Sequence, residues 1–290
     1  WCFWDTDAHP FRDAIEQRWW QWRVATDAAP GITCTSTRYP YCRLPAGRFY
    51  AAALAILADA ANVRVVKGVG ARDIWAASGG RLAAVTDDGV YRAGLVFDGR
   101  PPGPGTWPLN GHPFMWQDFM GWRVTGRPGS FDPDTLDLMD FREAPADAVR
   151  FLYVLPLSDR EALLETTLFT QGPPGHTDHT AYLNAALTAR SGGPSAIAAT
   201  EHGRIPMTTA PPPLPARANV IPIGTRAGAP RPSTGYAFLA IQRHTAALAA
   251  RVARGRPGPV PMRAPHTRWL DKVFLTRLQG DPGGAPELFR

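Results

Sequence analysis

At 290 residues, with 44% hydrophobic side chains, the chain carries enough apolar material for one large domain or two of ordinary size, which excludes a disordered protein. Its formal charge of +6 comes almost wholly from scattered arginines, Lys67 and Lys272 being the only lysines; a nucleic-acid surface gathers its basic groups on one face, so nucleic acid is excluded as a partner. The longest apolar run, Phe49–Ala58, ends at Asp59 and falls short of the roughly 20 residues of a membrane-spanning helix, so any membrane contact is expected to be peripheral.

The three cysteines, Cys2, Cys34 and Cys42, offer no paired framework and no Cys-x-x-Cys; they read as reduced thiols of a cytosolic protein. No metal site is expected: the seven histidines show no His-Glu-x-x-His, and His176 and His179 lie in a Gly/Pro-rich stretch that reads as a solvated loop. The chain opens at Trp1 with no Met and no basic and apolar leader, so a fragment lacking its natural N-terminus is expected.

In chain order, Gly47–Ala61 predicts a helix and the β-branched run Asn62–Val66 a strand. Arg81–Val85 and Val90–Phe97 predict a hairpin closed by Thr86-Asp-Asp-Gly89, since Asp-Gly suits a tight turn. The buried-looking strand Gly94–Phe97 runs into Asp98-Gly-Arg100, either a turn between domains or a strand end where a cofactor lies. From Trp107 the pattern changes to four β-rich runs, Phe114–Val124, Leu136–Phe141, Arg150–Leu155 and Ala162–Phe169, which predict a mostly antiparallel sheet. Tyr182–Ala189 predicts a short helix beside it. Glu201-His-Gly-Arg-Ile-Pro-Met207 reads equally as a strand end and turn, and Pro211–Pro215 is a stiff extended connection. Val220–Ile223 predicts a strand, Tyr236–Arg254 a helix ending at Gly255, and Thr267–Leu278 an amphipathic piece.

Two features point to chemistry. The segment from Gly224 to Gly235 joins a strand to a helix start, where open backbone N–H groups and the helix dipole suit an anion, although such loops also serve plain packing. Glu165 interrupts an otherwise apolar run, sharing a strand face with Leu163 and Thr167. Either it faces solvent, or it is a carboxyl held among apolar groups whose raised proton affinity favours proton donation.

Laid end to end, Trp1–Trp4, Leu95-Val-Phe-Asp-Gly-Arg-Pro-Pro102, Trp116-Gln-Asp-Phe-Met-Gly-Trp122, Leu138–Phe141, Phe151–Pro156, Leu164-Glu-Thr-Thr167, Glu201–Met207, Ile223-Gly-Thr225 and Pro232-Ser-Thr-Gly-Tyr236 resemble the lycopene β-cyclase family of flavoproteins, in the family's order. The resemblance implies an α/β, glutathione-reductase-type FAD/NAD(P)-binding fold with an antiparallel substrate sheet. The FAD-binding part is 1–106 with 208–290 and the substrate domain is 107–207; the dinucleotide βαβ unit, with its Gly-x-Gly-x-x-Gly, precedes Trp1. It implies an isomerase of carotenoid biosynthesis, at the cytoplasmic face of the membrane, that cyclises the ψ-ends of lycopene to β-rings with reduced FAD and NAD(P)H as electron donor. Glu165 is then the acid/base residue, while Thr166 stands where the family carries a second acidic residue, a departure that weighs against a two-carboxylate mechanism. Asp98, Gly99 and Arg100 are expected along the cofactor's nucleotide, Pro206 and Met207 at its ring, and Gly224, Gly228, Ser233, Thr234 and Gly235 in its loop. Phe114, Trp116, Phe119 and Trp122 are expected as substrate-pocket walls or as sheet core. A related prenyl-chain reductase or hydroxylase, or an inert flavin- or carotenoid-binding homologue, are the alternatives.

Overall fold

The structure, a computed structural model, describes residues 1–27, 31–103, 107, 110–142, 148–172, 178–191, 195–215 and 217–289. The N-terminal part forms β1 (Cys2–Trp4), β2 (Gln17–Trp19), β3 (Gln21–Ala25), β4 (Ile32–Thr35) and β5 (Tyr41–Arg43). Strands β1, β5 and β2 make a small antiparallel sheet, whereas β3 and β4 join the main sheet. Helix α1 (Ala46–Ala58) follows.

The strand predicted at Asn62–Val66 is not formed. The β-branched side chains supply propensity, but no strand among the described residues supplies a ladder, and Val63, Val65 and Val66 are exposed. The hairpin forms as expected from β7 (Leu82–Thr86) and β8 (Gly89–Ala93), with Thr86 opposite Gly89, and β6 (Ala71–Ala76) adds an edge that sequence alone did not show. Strand β9 (Val96–Asp98) is half-exposed at Phe97 and buries Asp98. It pairs in parallel with Val220–Pro222, so the segments that precede Phe114 and follow Thr208 meet there.

The main sheet holds β10 (Phe114–Thr125), β11 (Thr135–Asp140), β12 (Val149–Pro156), β13 (Glu161–Thr170) and β14 (Ala196–Thr208), in the order β14-β10-β13-β12-β11-β3-β4. The four predicted β-rich runs are thus its middle. Three strands were not foreseen: β3 and β4 at one side and β14, which pairs along the whole of β10, at the other. The period of two that sets strand faces divides the core. On one face Trp122, Val124, Leu152, Val154 and Leu164 pack under α2 (His179–Ser191) through Leu183, Ala186 and Leu187. On the other, Met115, Phe151, Tyr153, Leu155, Leu163 and Met207 form the larger core with the C-terminal helices.

After β15 (Val220–Pro222) come α3 (Phe238–Ala253), α4 (Pro265–Gly280) and α5 (Ala285–Phe289). The amphipathic reading of α4 holds: Asp271, Leu275 and Leu278, spaced one helical turn apart, form its buried stripe. Truncating a fully buried Leu164 or Leu275 to Ala would cost about 2–5 kcal/mol. Among the described residues no helix is long and apolar enough to cross a membrane.

Candidate active site

The register of four strands builds the site. Tyr153 on β12 lies opposite Glu165 on β13, Glu165 opposite Gly121 on β10, and Gly121 opposite Glu201 on β14. Directly opposed residues share a sheet face, and Tyr153, Glu165 and Glu201 all line one cavity of about 640 Å³. With strands roughly 4.8 Å apart, the two glutamates stand about 10 Å apart along the backbone, within reach of two long side chains. On β10 between them stands Gly121, which has no side chain. A Cβ at Gly121 would meet Glu201 Cγ at 3.0 Å, Glu201 Oε1 at 3.1 Å and Leu163 Cδ1 at 3.2 Å, so the Glu201 side chain leans over the bare backbone of β10. Gly203 plays the same part for Phe119, whose Cζ would lie 2.6 Å from an added Cβ.

Glu165 is part-exposed, and it borders the cavity. Burial, reinforced by the Glu201 charge, pushes its carboxyl up to about 8, and the Thr167 hydroxyl, donating to Oε1 at 3.4 Å, only weakly opposes this. That raised proton affinity favours the protonated, proton-donating form. The surrounding phenols stay neutral: burial raises Tyr41 and Tyr153 well above their usual value and Tyr236 to about 12, and Tyr41 and Tyr236 share a hydrogen bond of 3.1 Å. Trp107, Trp116, Phe119, Leu155, Leu163 and Ile205 complete an aromatic and aliphatic lining.

The loop after β15 reaches this cavity. Gly224 (φ 59) opens a 3₁₀ turn and Gly228 (φ 76) closes it. Gly235 (φ 74) takes a left-handed conformation, and a Cβ there would lie 2.0 Å from Gln117 Oε1, so only glycine fits. Helix α3 begins at Phe238, two residues beyond the start expected at Tyr236, and no side chain caps it. Thr225, Thr234, Gly235, Ala237 and Phe238 line the same cavity as Glu165. Gln117 Oε1 is buried and has no hydrogen-bond donor among the described residues. An uncapped helix start beside a free amide acceptor fits the polar edge of a flavin ring, which presents both carbonyl acceptors and N–H donors.

The other expected site residues divide. Trp116 and Phe119 line the cavity; Phe114 packs edge-on against Trp116 at 5.0 Å outside the cavity lining, and Trp122 lies on the opposite sheet face in the core under α2. Pro206 borders the cavity, but Met207, one residue on, is fully buried in the main core. Asp98 is turned inward: Arg100 Nε and Nη2 each donate to it at 2.9 Å and Arg226 Nε lies at 3.0 Å. Burial would raise that carboxyl, but Arg100 outweighs it and holds it below its usual range. Gly99 and Arg100 lie outside the cavity with it, Arg100 Nη1 donating to Arg72 O at 2.7 Å. Ser233 is held from below, its hydroxyl donating to Asp271 of α4 at 2.7 Å. Gly228 belongs to the wall of a second, proline-rich cavity.

Two further findings were not anticipated. Thr166 is fully buried beneath α2, opposite Leu152 and Met120, because successive residues of a strand alternate; position 166 is turned away from the cavity. His179 is no loop residue: it opens α2, is 3% exposed, and its Nε2 lies 3.3 Å from Asp118 Oδ1, which also has His202 Nε2 at 3.2 Å. Helix packing buries it, and burial lowers its proton affinity. His176 lies outside the described residues.

Solved structures with this fold define its class. The chain superimposes with a TM-score of 0.61 on a geranylgeranyl bacteriochlorophyll reductase-like protein from Thermoplasma acidophilum, at 14% identity, covering 94% of this chain and 70% of that one. It also superimposes on the peptidyl tryptophan dihydroxylase QhpG (TM-score 0.55, 20% identity, 93% and 59% covered) and on the flavin-dependent brominase Bmp2 (TM-score 0.52, 10% identity, 92% and 69% covered). The fold is the mixed α/β fold of the FAD/NAD(P)-binding flavoproteins with an antiparallel sheet. Within that class the family model described as lycopene cyclase protein matches residues 1–287, and the chain belongs to that family. A lycopene beta-cyclase of Paracoccus sp. strain N81106 is 30% identical over 172 residues, which span 58% of this chain and 42% of that protein.

Proposed function

We infer that the chain carries the activity of a lycopene β-cyclase, an isomerase of carotenoid biosynthesis that turns the linear ψ-ends of lycopene into β-rings without net redox change. The observation that carries this reading is the Glu165 carboxyl on a cavity wall rich in aromatic and aliphatic side chains, its proton affinity raised by burial and by the Glu201 charge. Glu165 hands its proton to the terminal double bond, and the neighbouring double bond attacks the tertiary cation to close the ring. Loss of a ring proton then completes the product. Trp116, Phe119 and Tyr153 offer π-faces to the cation and keep out water that would trap it.

The start of α3, Thr225, Thr234, Gly235, Pro206 and Gln117 would hold the flavin ring of FAD. When bound and kept reduced by NAD(P)H, that flavin supplies negative charge beside the developing cation. Residues 1–106 and 208–290 would form the cofactor part around the sheet of 107–207, with β3 and β4 lent to that sheet. Because the substrate is a hydrocarbon dissolved in the bilayer, the protein works as a peripheral enzyme at the cytoplasmic membrane face.

The test is expression of the full-length protein in lycopene-accumulating cells, with chromatography and mass analysis of the pigments. A shift to γ- or β-carotene at unchanged mass is expected. Unchanged lycopene, or a product altered by hydrogens or oxygen, would overturn the reading in favour of an inert homologue, a reductase or a hydroxylase.

A further inference from the structure

Glu201 borders the cavity from the sheet's outer strand, and neither its motif nor the family resemblance assigned it a role. Three observations single it out. It shares one rung with Glu165 across Gly121. Its side chain lies over the glycine backbone rather than away from the sheet, its Oε1 only 3.1 Å from where a Gly121 Cβ would be. Among the described acidic residues, Glu165 and Glu201 alone line this cavity, and position 166 faces the other way.

We propose that Glu201 is the second carboxylate of the active site, the base that accepts the ring proton after Glu165 has donated one. This rests on the cyclisation read above. The terminal π-bond takes the Glu165 proton as a new C–H bond, and the neighbouring π-bond becomes the ring-closing C–C bond. The electron pair of the C–H bond broken by Glu201 forms the ring double bond. One proton has then moved from Glu165 to Glu201, no oxidant or reductant is consumed, and a return transfer across the gap at Gly121 resets the pair. The asymmetry suits the roles: Glu165 is half-buried in the cavity wall, while Glu201 stands exposed at the cavity's edge.

The full-length protein, as wild type, Glu201→Gln and Glu201→Asp, is expressed in lycopene-accumulating cells and its pigments are analysed by chromatography and mass. With Gln, β-ring formation is expected to fall at least about tenfold with bound flavin unchanged, and part of the pigment to gain the mass of one water as the stranded cation is trapped. Asp should recover more ring formation than Gln. Ring formation by the Gln variant within about twofold of wild type, or an Asp variant no better than Gln, would refute the role. Infrared titration of the Glu165 carboxyl in purified protein gives a readout without substrate: Glu201→Gln should move its midpoint downward, and an unmoved midpoint would show that the two side chains do not face each other. Should the wild type itself form no rings, the cyclase reading fails, and the titration still decides whether the two carboxyls form a pair.

Discussion

The main sheet presents a carboxyl on each face and treats the two in opposite ways. Asp118, under α2, is surrounded: His179 and His202 lie 3.3 and 3.2 Å from Oδ1, and Arg204 Nε lies 2.9 Å from Oδ2. Glu165, facing the cavity, has one weak donor in Thr167 and a like charge in Glu201. An arginine beside a carboxyl ties it into the structure, whereas a carboxyl with one weak donor and a like charge beside it binds its proton more tightly and can give it away. The difference lies in the immediate neighbours, since Asp118 has two histidines and an arginine within 3.3 Å whereas Glu165 has the Thr167 hydroxyl and the Glu201 charge.

The contrast is broken most severely at Glu165. Glu165→Gln should lower β-ring formation by at least about 100-fold while leaving flavin content unchanged, measured by pigment analysis and flavin absorbance. Retained activity would remove Glu165 from the mechanism. Asp118→Asn should do the reverse, costing about 2–4 kcal/mol because Arg204 loses a buried charge partner. It should leave the turnover of folded enzyme near wild type; an unchanged melting temperature would show that the Asp118 cluster is not structural.

The contrast also predicts two pH effects. Activity should fall about tenfold per pH unit once the pH passes roughly 8, as Glu165 loses its proton. Its folded value lies above the unfolded one of 4.5, so the unfolded chain binds fewer protons between these two values, and stability falls as pH rises from about 4.5 to about 8. Denaturant titrations across that window should show a shallower fall for Glu165→Gln, and equal slopes in the two proteins would contradict the buried, protonated state. The smallest effect is expected at Thr166, whose buried hydroxyl lacks a partner among the described residues. Thr166→Val should change stability by no more than about 0.5 kcal/mol or improve it slightly, and should leave ring formation unaltered. Loss of activity there would mean that the α2 face takes part in the chemistry.

Much of this was legible because the signals are local. Leu163, Glu165 and Thr167 follow the alternation of a strand, and the same alternation, applied one residue on, turns Thr166 to the other face and separates Trp122 from Phe119. Asp-Gly at 88–89 specified the hairpin. The misses are non-local. The first half of β14 is an exposed edge with little apolar pattern, so only Glu201–Met207 read as a strand end, and the pairing with β10 that turns Glu201 to the cavity stayed hidden. Glycines within strand patterns, Gly121 and Gly203, were the available clue that a neighbouring side chain comes close. His179 was misjudged because its neighbours in sequence are loop formers, while its environment is set by a helix lying on the sheet. Val63–Val66 shows the converse, strand formers left without a partner among the described residues.

The irregularity between Arg123 and Val124, where Val124 pairs with Ile197 and Ala198 is passed over, sits three residues from Gly121. A slip of β14 by a single residue would carry Glu201 through the sheet to the side of α2 and bring a neighbour with no acid into its place. The bulge penalises that slide by fixing which bonds each strand can exchange. A small fault in the weave thus keeps two distant parts of the chain in step, and the spacing of the two acids is inherited from backbone pairing rather than from any contact between them.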